Sequence, residues 1–296
     1  MEEKNNSCLR HSLKKENFNN GMKIFEDTLG TISLSSTNVA HGENVFIRSI
    51  IMKDNEAKII EQISKIYNKI DFSEYRPPSI PEYYGFFKKL HENDQIQYNL
   101  VFKYFSYSFS NMERIYSFSQ IMIFFDKIIQ GLAFLQKIGI CPRYLEPTSF
   151  LFHQIGNSAY INTMNIDFLV LCTSNETKYC KMDSLFGYDY FSPEKLKCLE
   201  NHDFLNNPYK SETFSLGLIF LELICLKIPE RTENNEIWNQ NIDEITNPIL
   251  IEGNAEELKQ LKTFFKLLRK CLSLDSKNRP DFIELWEQSE QMLQIK

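Results

Sequence analysis

The feature that most constrains this chain is a change of pattern near residue 105. Before it, short β-favouring segments surround one stretch with apolar residues at helical spacing, and after it the apolar residues follow helical periods only. The segments are Gly30–Leu34, Asn44–Met52, the helical Asn55–Ile70, Glu82–Phe87 and Tyr98–Tyr104. A run of strands followed by a run of helices is typical of an α+β fold. We therefore predict a small antiparallel sheet with one main helix, followed by a larger, mainly α-helical part.

Helical runs after residue 105 divide the rest of the chain. They are predicted at Phe118–Lys137, Ser211–Leu226, Ala255–Leu274 and Asp281–Ile295. Residues 1–20 are polar and rich in Asn and Lys, which favours a flexible leader. The predicted organisation is thus a leader at 1–20, a first lobe at 21–104 and a second lobe at 105–296, the two lobes forming one domain over about 21–295.

Bulk composition excludes several classes of protein. A net charge of -6 argues against nucleic acid as the main partner, because such contacts need concentrated Lys and Arg. The N-terminus has no apolar core of a signal peptide, and the apolar stretch Phe214–Ile228 is too short and too interrupted for membrane insertion. The seven cysteines are scattered without a C-x-x-C pair, which argues against a zinc site or disulfide framework. We expect a soluble, intracellular, cytoplasmic protein.

Three stretches resemble motifs of eukaryotic protein kinases. Residues 141–152, CPRYLEPTSFLF, resemble the catalytic loop HRDLKPxNxLL, with Arg143 and Leu145 in register. Ser192-Pro193-Glu194 resembles the APE motif, and residues 210–223, KSETFSLGLIFLEL, resemble KSDVYSLGVILLEL. Their order and spacing cover nearly all the chain after residue 21. The resemblance implies a two-lobed protein-kinase-like fold.

The resemblance assigns structural roles to residues that match the family. It implies an ion pair between Glu194 and Arg279, which would hold the end of the activation segment to the second lobe. Glu212 stands where the family has an Asp that accepts backbone N–H groups of the catalytic loop. Arg143 keeps the family's loop arginine. The framework of a kinase is therefore expected to be retained.

The residues that carry the family's chemistry are different. Tyr144 replaces the Asp that orients the substrate hydroxyl, and a phenol with a pKa near 10 cannot serve as that base at neutral pH. Glu146 replaces the loop Lys and puts negative charge where the phosphate would lie. Ser149 replaces the metal-binding Asn. We expect no intact catalytic residue in this loop.

The nucleotide site implied by the resemblance is also altered. Arg48 stands at the position of the ATP-binding Lys, and Phe46 at the small Ala of the VAIK strand. Phe102 matches the gatekeeper, and Leu151 the floor of the adenine site. The helix partner of Arg48 is Gln62 or Glu61, and one glycine, Gly30, stands where the family uses three. These residues predict a vestigial nucleotide pocket.

Two alignments remain open for the metal-binding DFG motif. Thr163-Met164-Asn165 fits the spacing with one extra residue and is preferred. Asp167-Phe168-Leu169 keeps a metal-binding Asp, but it requires a longer loop and has Leu in place of the flexible Gly. We expect no metal site under the first alignment.

Three functional hypotheses follow from the resemblance. The first is a catalytically inactive pseudokinase that acts as a signalling scaffold or allosteric binding module, without cofactor. The others are an atypical Ser/Thr kinase that uses ATP and Mg²⁺, and a pseudokinase that binds ATP without hydrolysing it. The expected partners are proteins, such as an active kinase or its substrate.

Overall fold

The computed structural model describes most of the chain in segments. The described residues are 14, 18–19, 22–27, 30–36, 44–53, 65–67, 69–70, 80, 82–90, 95–103, 107–108, 117–142, 145–155, 158–164, 169–171, 177–178, 188–201, 205–251 and 255–293. They belong to two compact units. The first unit comprises Met1–Tyr107 and Phe152–Tyr160, and the second comprises Ser108–Leu151 and Ile161–Lys296.

A five-stranded antiparallel sheet forms the first unit. The strands are Met22–Asp27 (β1), Gly30–Ser36 (β2), Asn44–Lys53 (β3), Tyr83–Leu90 (β4) and Gln95–Lys103 (β5). Their order in the sheet is β1-β2-β3-β5-β4, so β3 and β5 lie at its centre. Register aligns Phe46 with Phe102 and Arg48 with Leu100, which places these four residues on one face.

Helical residues 65–67 and 69–70 pack against this sheet through aromatic rings. Tyr67 lies 4.6 Å from the Tyr83 ring and 5.8 Å from the Phe102 ring, centroid to centroid. Tyr83 and Phe102 lie 5.2 Å apart. Large aromatic rings in such tilted pairs add stabilisation beyond their buried area. The cluster joins the helix to β4 and β5.

Six helices and four strands account for most of what is described in the second unit. The helices are Phe118–Lys137 (α1), Pro193–Asn201 (α2), Pro208–Cys225 (α3), Asn235–Thr246 (α4), Ala255–Cys271 (α5) and Phe282–Leu293 (α6). Ile140–Pro142 (β7) pairs with Leu169–Leu171 (β10), and Thr177–Lys178 (β11) pairs with Leu205–Asn206 (β12). Tyr107–Ser108 (β6), Phe150–Ile155 (β8) and Ser158–Met164 (β9) lie where the chain passes between units.

Aromatic side chains from three helices form the core of the second unit. Phe125 of α1 meets Phe220 of α3 and Phe264 of α5 edge to face, at 5.0 and 4.9 Å between ring centroids. α1 is long and apolar enough to cross a membrane by length and composition, but 56% of its most apolar stretch is buried within the protein. That burial is typical of a core helix.

Polar caps fix where these helices begin. Ser117 and Gln120 form a reciprocal capping box at the start of α1. The Asn207 side chain accepts hydrogen bonds from the backbone N–H groups of Tyr209 and Lys210 at the start of α3. Gln136 Oε1 accepts from the Phe282 N–H at 2.9 Å, so α1 caps α6. The caps supply partners that helix ends otherwise lack.

The observed elements confirm the predicted α+β fold and add elements that the sequence analysis does not name. Among the additions, α2 and α4 have few apolar residues to show a helical period, and β1 and the strands β6, β7 and β10–β12 are at most six residues long. At the end of the predicted leader, Phe18 packs against the sheet and Asn19 accepts a hydrogen bond from Ser35. Residues 40–43, which connect β2 to β3 and include the turn-forming Gly42, lie outside the described residues.

Candidate functional site

The loop that resembles a catalytic loop is held by a buried carboxylate. Leu145 N–H donates to Glu212 Oε2 at 3.0 Å, and both residues are almost wholly inaccessible to solvent. Glu212 lies in the first turns of α3, which the cap at Asn207 fixes in place. The longer Glu thus reaches the loop backbone from the position where the family has Asp. The contact orients the loop without taking part in chemistry.

Glu212 has a second partner that sequence reasoning missed. Lys195 Nζ forms an ion pair with Glu212 Oε1, and the Lys195 side chain is 1% exposed. Burial raises the pKa of Glu212, and the charge of Lys195 together with the Leu145 N–H offsets part of that rise. Because each buried charge compensates the other, loss of one leaves the other unpaired. Lys195 of α2 therefore connects the end of the activation segment to the loop through Glu212.

A second buried ion pair lies next to the first. Arg279 donates from Nη1 to Glu194 Oε1 at 2.5 Å and from Nη2 to Glu194 Oε2 at 2.8 Å. Ser211 Oγ also donates to Glu194 Oε1, at 2.6 Å. Burial alone would raise the pKa of Glu194, but the hydrogen bonds and charge of Arg279 lower it to about 2. The carboxylate is therefore ionised throughout the physiological range.

The segment before α2 is attached to α3 at a further point. Tyr190 donates its hydroxyl proton to Glu222 Oε2. Burial and the negative charge of Glu222 raise the pKa of the Tyr190 phenol. Together with Glu194 of α2, which bonds to Ser211, and Lys195 of α2, which pairs with Glu212, this gives three contacts with α3 between residues 190 and 195. These contacts attach the start of α2 and the residues before it to α3.

Ser149 and Glu146 interact with each other in the loop. Ser149 Oγ accepts a hydrogen bond from the Glu146 backbone N–H at 3.1 Å, and Ser149 N–H donates to the Glu146 carbonyl at 2.9 Å. Ser149 is 2% exposed and sits in the single 3₁₀ turn Pro147–Ser149. The residue at the family's metal-binding Asn position thus uses its hydroxyl to stabilise its own turn.

In the first unit, three of the residues predicted to line the nucleotide pocket, Phe46, Arg48 and Phe102, lie with Leu100 on one buried face of the sheet. The exposed fractions are 5% for Phe46, 1% for Arg48, 0% for Leu100 and 2% for Phe102. Phe102 also belongs to the aromatic cluster with Tyr67 and Tyr83. A side chain that recognises a ligand must be accessible before the ligand arrives. This face of the sheet is occupied by the packing of its own side chains.

Several predicted site residues cannot be placed. Glu61, Gln62, Arg143, Tyr144 and Asp167 lie outside the described residues. Leu151 and Thr163 are described only by their backbone, in β8 and β9. Of the two DFG alternatives, Thr163 and Met164 end β9 and Leu169 begins β10, whereas residues 165–168 between these strands lie outside the described residues. Within the described segments, no group of three or more His, Cys, Asp or Glu side chains could hold a metal ion.

Comparison with known families supports what the fold and the two ion pairs indicate. The model of the protein kinase domain matches residues 30–289. The chain belongs to the protein kinase family. The match covers β2 through most of α6, so the sheet and the helices both fall within the kinase domain. No curated protein matches the chain.

Membership of the protein kinase family indicates which cofactors an active member would use. A kinase domain that is active uses ATP and Mg²⁺.

Two contacts in this domain, those of Lys195 and Tyr190, were not predicted from the sequence. No signal in the sequence pairs Lys195 with Glu212 or Tyr190 with Glu222, because both contacts depend on the tertiary fold.

Proposed function

We propose that this kinase-family protein is a pseudokinase that acts through protein binding and does not transfer phosphate. The chain keeps the buried ion pairs that stabilise its kinase domain, but it has different residues at the positions that carry the family's chemistry. Its partners would be proteins, such as an active kinase or its substrate, and we expect it to act inside the cell. The kinase fold alone does not decide whether the protein transfers phosphate or only binds other proteins, so individual residues must decide it.

The observation that carries the proposal is the alignment of Phe46 with Phe102 on the face that holds Arg48. Phe46 takes the place of the small alanine where the family needs room for adenine, Phe102 lies beside it at the gatekeeper position, and the side chains of Phe46, Arg48 and Phe102 are at most 5% exposed. A guanidinium is also larger than an ammonium and replaces it poorly as a point charge. The residues present do not fit a bound nucleotide on this face.

The loop supports the same conclusion. Ser149 stands where the family's asparagine binds the second metal, and its Oγ accepts from the Glu146 N–H, which engages one of the two lone pairs of that oxygen within the turn. Glu146 replaces a lysine that would neutralise phosphate charge, and Tyr144 replaces the base. The loop therefore does not carry the residue set with which the family holds magnesium and orients the substrate.

Retained structural contacts argue for a folded binding module. Glu194 with Arg279 and Glu212 with Lys195 are buried ion pairs whose single loss is strongly destabilising. Both pairs attach the described end of the activation segment to the helical core of the second unit. A fixed surface in this region is useful for binding a protein even when phosphate transfer is absent.

Thermal unfolding with nucleotide tests the proposal. We expect no change in Tm when the full chain is heated with ATP or ADP at millimolar concentration, with or without Mg²⁺ or Mn²⁺. Ligand at 100 times its Kd would stabilise the fold by about 2.7 kcal/mol, which is readily detected. A shift without metal would favour a nucleotide-binding pseudokinase, and a shift that requires metal would favour an atypical kinase.

A double substitution serves as the matched control for that titration. Phe46→Ala with Arg48→Lys restores the small residue and the point charge of the family on β3. A nucleotide-dependent rise in Tm in this variant, absent from the wild type, would show that the two residues block binding. If the wild type itself responds, the blocking role assigned to Phe46 is wrong.

A further inference from the structure

The central strands of the sheet are buried on both faces. Every described side chain from Val45 to Ile50 in β3 is buried, although neighbouring residues point to opposite faces. An antiparallel sheet commonly leaves one face in water. The face opposite Arg48 carries a cluster of Val45, Ile47, Phe87 and Val101, which we call the Phe87 face. Because these side chains are buried, other residues must shield this face from water.

Part of the cover comes from the N-terminal end of the same chain. The Phe18 ring stacks on the Phe87 ring, with centroids 5.3 Å apart and planes inclined by 15°. Phe18 packs against the whole cluster together with Tyr84. One residue further, the Asn19 carbonyl accepts a hydrogen bond from Ser35 Oγ at 2.6 Å. The Phe18 ring and the Asn19 backbone thus both contact the sheet.

A β-bulge shapes the Phe87 face. Register shifts between Tyr83 and Gly85, so Tyr84 is the extra residue, and Gly85 lies opposite Val101. Gly85 has φ 127°, a conformation that side chains rarely adopt. A glycine within a strand often marks a close approach by another group. Here it leaves the surface beside Phe87 without a side chain.

Polar groups close the other end of the Phe87 face. Asn99 Oδ1 accepts from Ser49 Oγ at 2.8 Å and from Gln97 Nε2 at 3.0 Å. Asn99 Nδ2 donates to the Phe87 carbonyl at 3.4 Å. Because these groups satisfy one another, the face beyond Phe87 offers little further apolar area. Among the described residues, the aromatic ring that packs on this face from outside the sheet is that of Phe18.

We propose that the Phe87 face is a docking surface for one aromatic side chain flanked by polar residues, and that Phe18 of the same chain is its resident occupant. Asn17 and Asn19 flank Phe18 in the sequence. A tethered side chain acts at an effective concentration of about millimolar, so it excludes a weak competitor without binding permanently. Phe18 therefore masks this surface, whether or not the protein transfers phosphate.

Substitution of Phe18 in the full chain tests the proposal. Phe18→Ala removes the occupant, and Phe86→Ala is the matched control because Phe86 is a half-buried aromatic residue of the same strand that stacks on Tyr98 instead. We expect hydrogen exchange in residues 83–90 to rise by roughly 3- to 10-fold in Phe18→Ala, the factor that loss of one aromatic pair implies. Phe18→Leu, which keeps apolar bulk, should show a smaller rise.

A synthetic peptide of residues 12–21 provides the second measurement. We expect saturable binding to the Phe18→Ala protein and at least about ten-fold weaker binding to the wild type and to Phe86→Ala, where Phe18 still occupies the surface. The same peptide with Phe18→Ala should not bind. Equal peptide binding by wild type and Phe18→Ala, or unchanged exchange in residues 83–90, overturns the proposal. A wild-type dimer that Phe18→Ala converts to monomer would assign the surface to a second copy instead.

Discussion

Arg279 and Glu194 form a bidentate ion pair in which the arginine uses all five of its N–H donors. Beyond the two bonds to the carboxylate, Nε donates to the Ser273 carbonyl at 2.6 Å, Nη1 to the Lys210 carbonyl at 3.2 Å and Nη2 to the Leu274 carbonyl at 3.1 Å. The guanidinium also lies 4.9 Å from the Phe214 ring centroid. Such complete pairing allows a buried charge in the core of the second unit.

The first prediction concerns the stability of this pair in acid. The pKa of Glu194 in the folded protein is lowered to about 2 from its ordinary value of 4.5. A lowered carboxylate pKa contributes stability that is complete above pH 4.5 and is lost as the pH falls from 4.5 towards 2. Glu194→Gln should therefore lose roughly 3 kcal/mol at pH 7 and show a flatter dependence of the unfolding free energy below pH 4.5. Urea unfolding at several pH values measures both effects.

A more exposed ion pair gives the control for this experiment. Arg269 pairs with Asp243, and their side chains are 32% and 49% exposed. Asp243→Asn should change the unfolding free energy by less than about 1 kcal/mol, because solvent screens such pairs. Equal losses of unfolding free energy in Asp243→Asn and Glu194→Gln would contradict the prediction that the buried Glu194 pair contributes more to stability than the exposed Asp243 pair.

The second prediction concerns Lys195 and Glu212. Lys195→Met leaves a buried carboxylate without its cation and should cost roughly 3 to 5 kcal/mol. The double variant Lys195→Met with Glu212→Met removes both charges, so it should be more stable than the sum of the single losses predicts. A double-mutant cycle by urea unfolding measures this coupling. Additive losses would show that the two side chains do not depend on each other.

Much of the fold follows from the sequence because apolar periodicity is a local signal. The Phe118–Lys137 helix has the predicted bounds, and the buried core of α3 lies within the predicted stretch. The kinase resemblance also brought Glu194 and Arg279 together before any coordinates, although 85 residues separate them. Apolar patterns within one element and motifs in a fixed order were therefore sufficient to predict the main helices and the Glu194–Arg279 ion pair.

Contacts between distant polar or aromatic residues could not be predicted. Lys195 has a polar side chain in a short polar helix, and only the tertiary position of Glu212 explains its burial. Phe18 lies in a stretch whose composition favours disorder, yet its ring matches the Phe87 face. In both cases the partner is non-local, so no periodicity in the neighbouring residues could show it.

The third prediction concerns Leu226, which ends α3. It has φ 55°, in the left-handed region, and its side chain is 67% exposed. A β-carbon in that region costs roughly 1 to 2 kcal/mol, whereas glycine adds about 0.5 to 1 kcal/mol of chain entropy to the unfolded state. Leu226→Gly should therefore stabilise the fold by about 0.5 to 1 kcal/mol in urea unfolding. Leu226→Ala keeps the β-carbon, so it should not raise the free energy of unfolding. Equal gains in Leu226→Gly and Leu226→Ala would contradict the backbone strain assigned to this residue.

The fourth prediction tests how many defects separate this chain from an active kinase. Tyr144→Asp restores the family's base in the loop but leaves Phe46, Arg48 and Ser149 unchanged. Because phosphate transfer needs the nucleotide, the metal and the base together, one restored group should not produce activity. Asp167→Ala is the matched variant, since Asp167 is the remaining metal-binding candidate.

Transfer of labelled phosphate from ATP is the most direct measurement of the central claim. The full-length wild type, Tyr144→Asp and Asp167→Ala would be incubated with Mg²⁺ or Mn²⁺ and a mixed protein substrate. The account predicts no incorporation above the enzyme-free control in any of the three proteins. Incorporation by the wild type that Asp167→Ala abolishes, or incorporation gained by Tyr144→Asp alone, would contradict it.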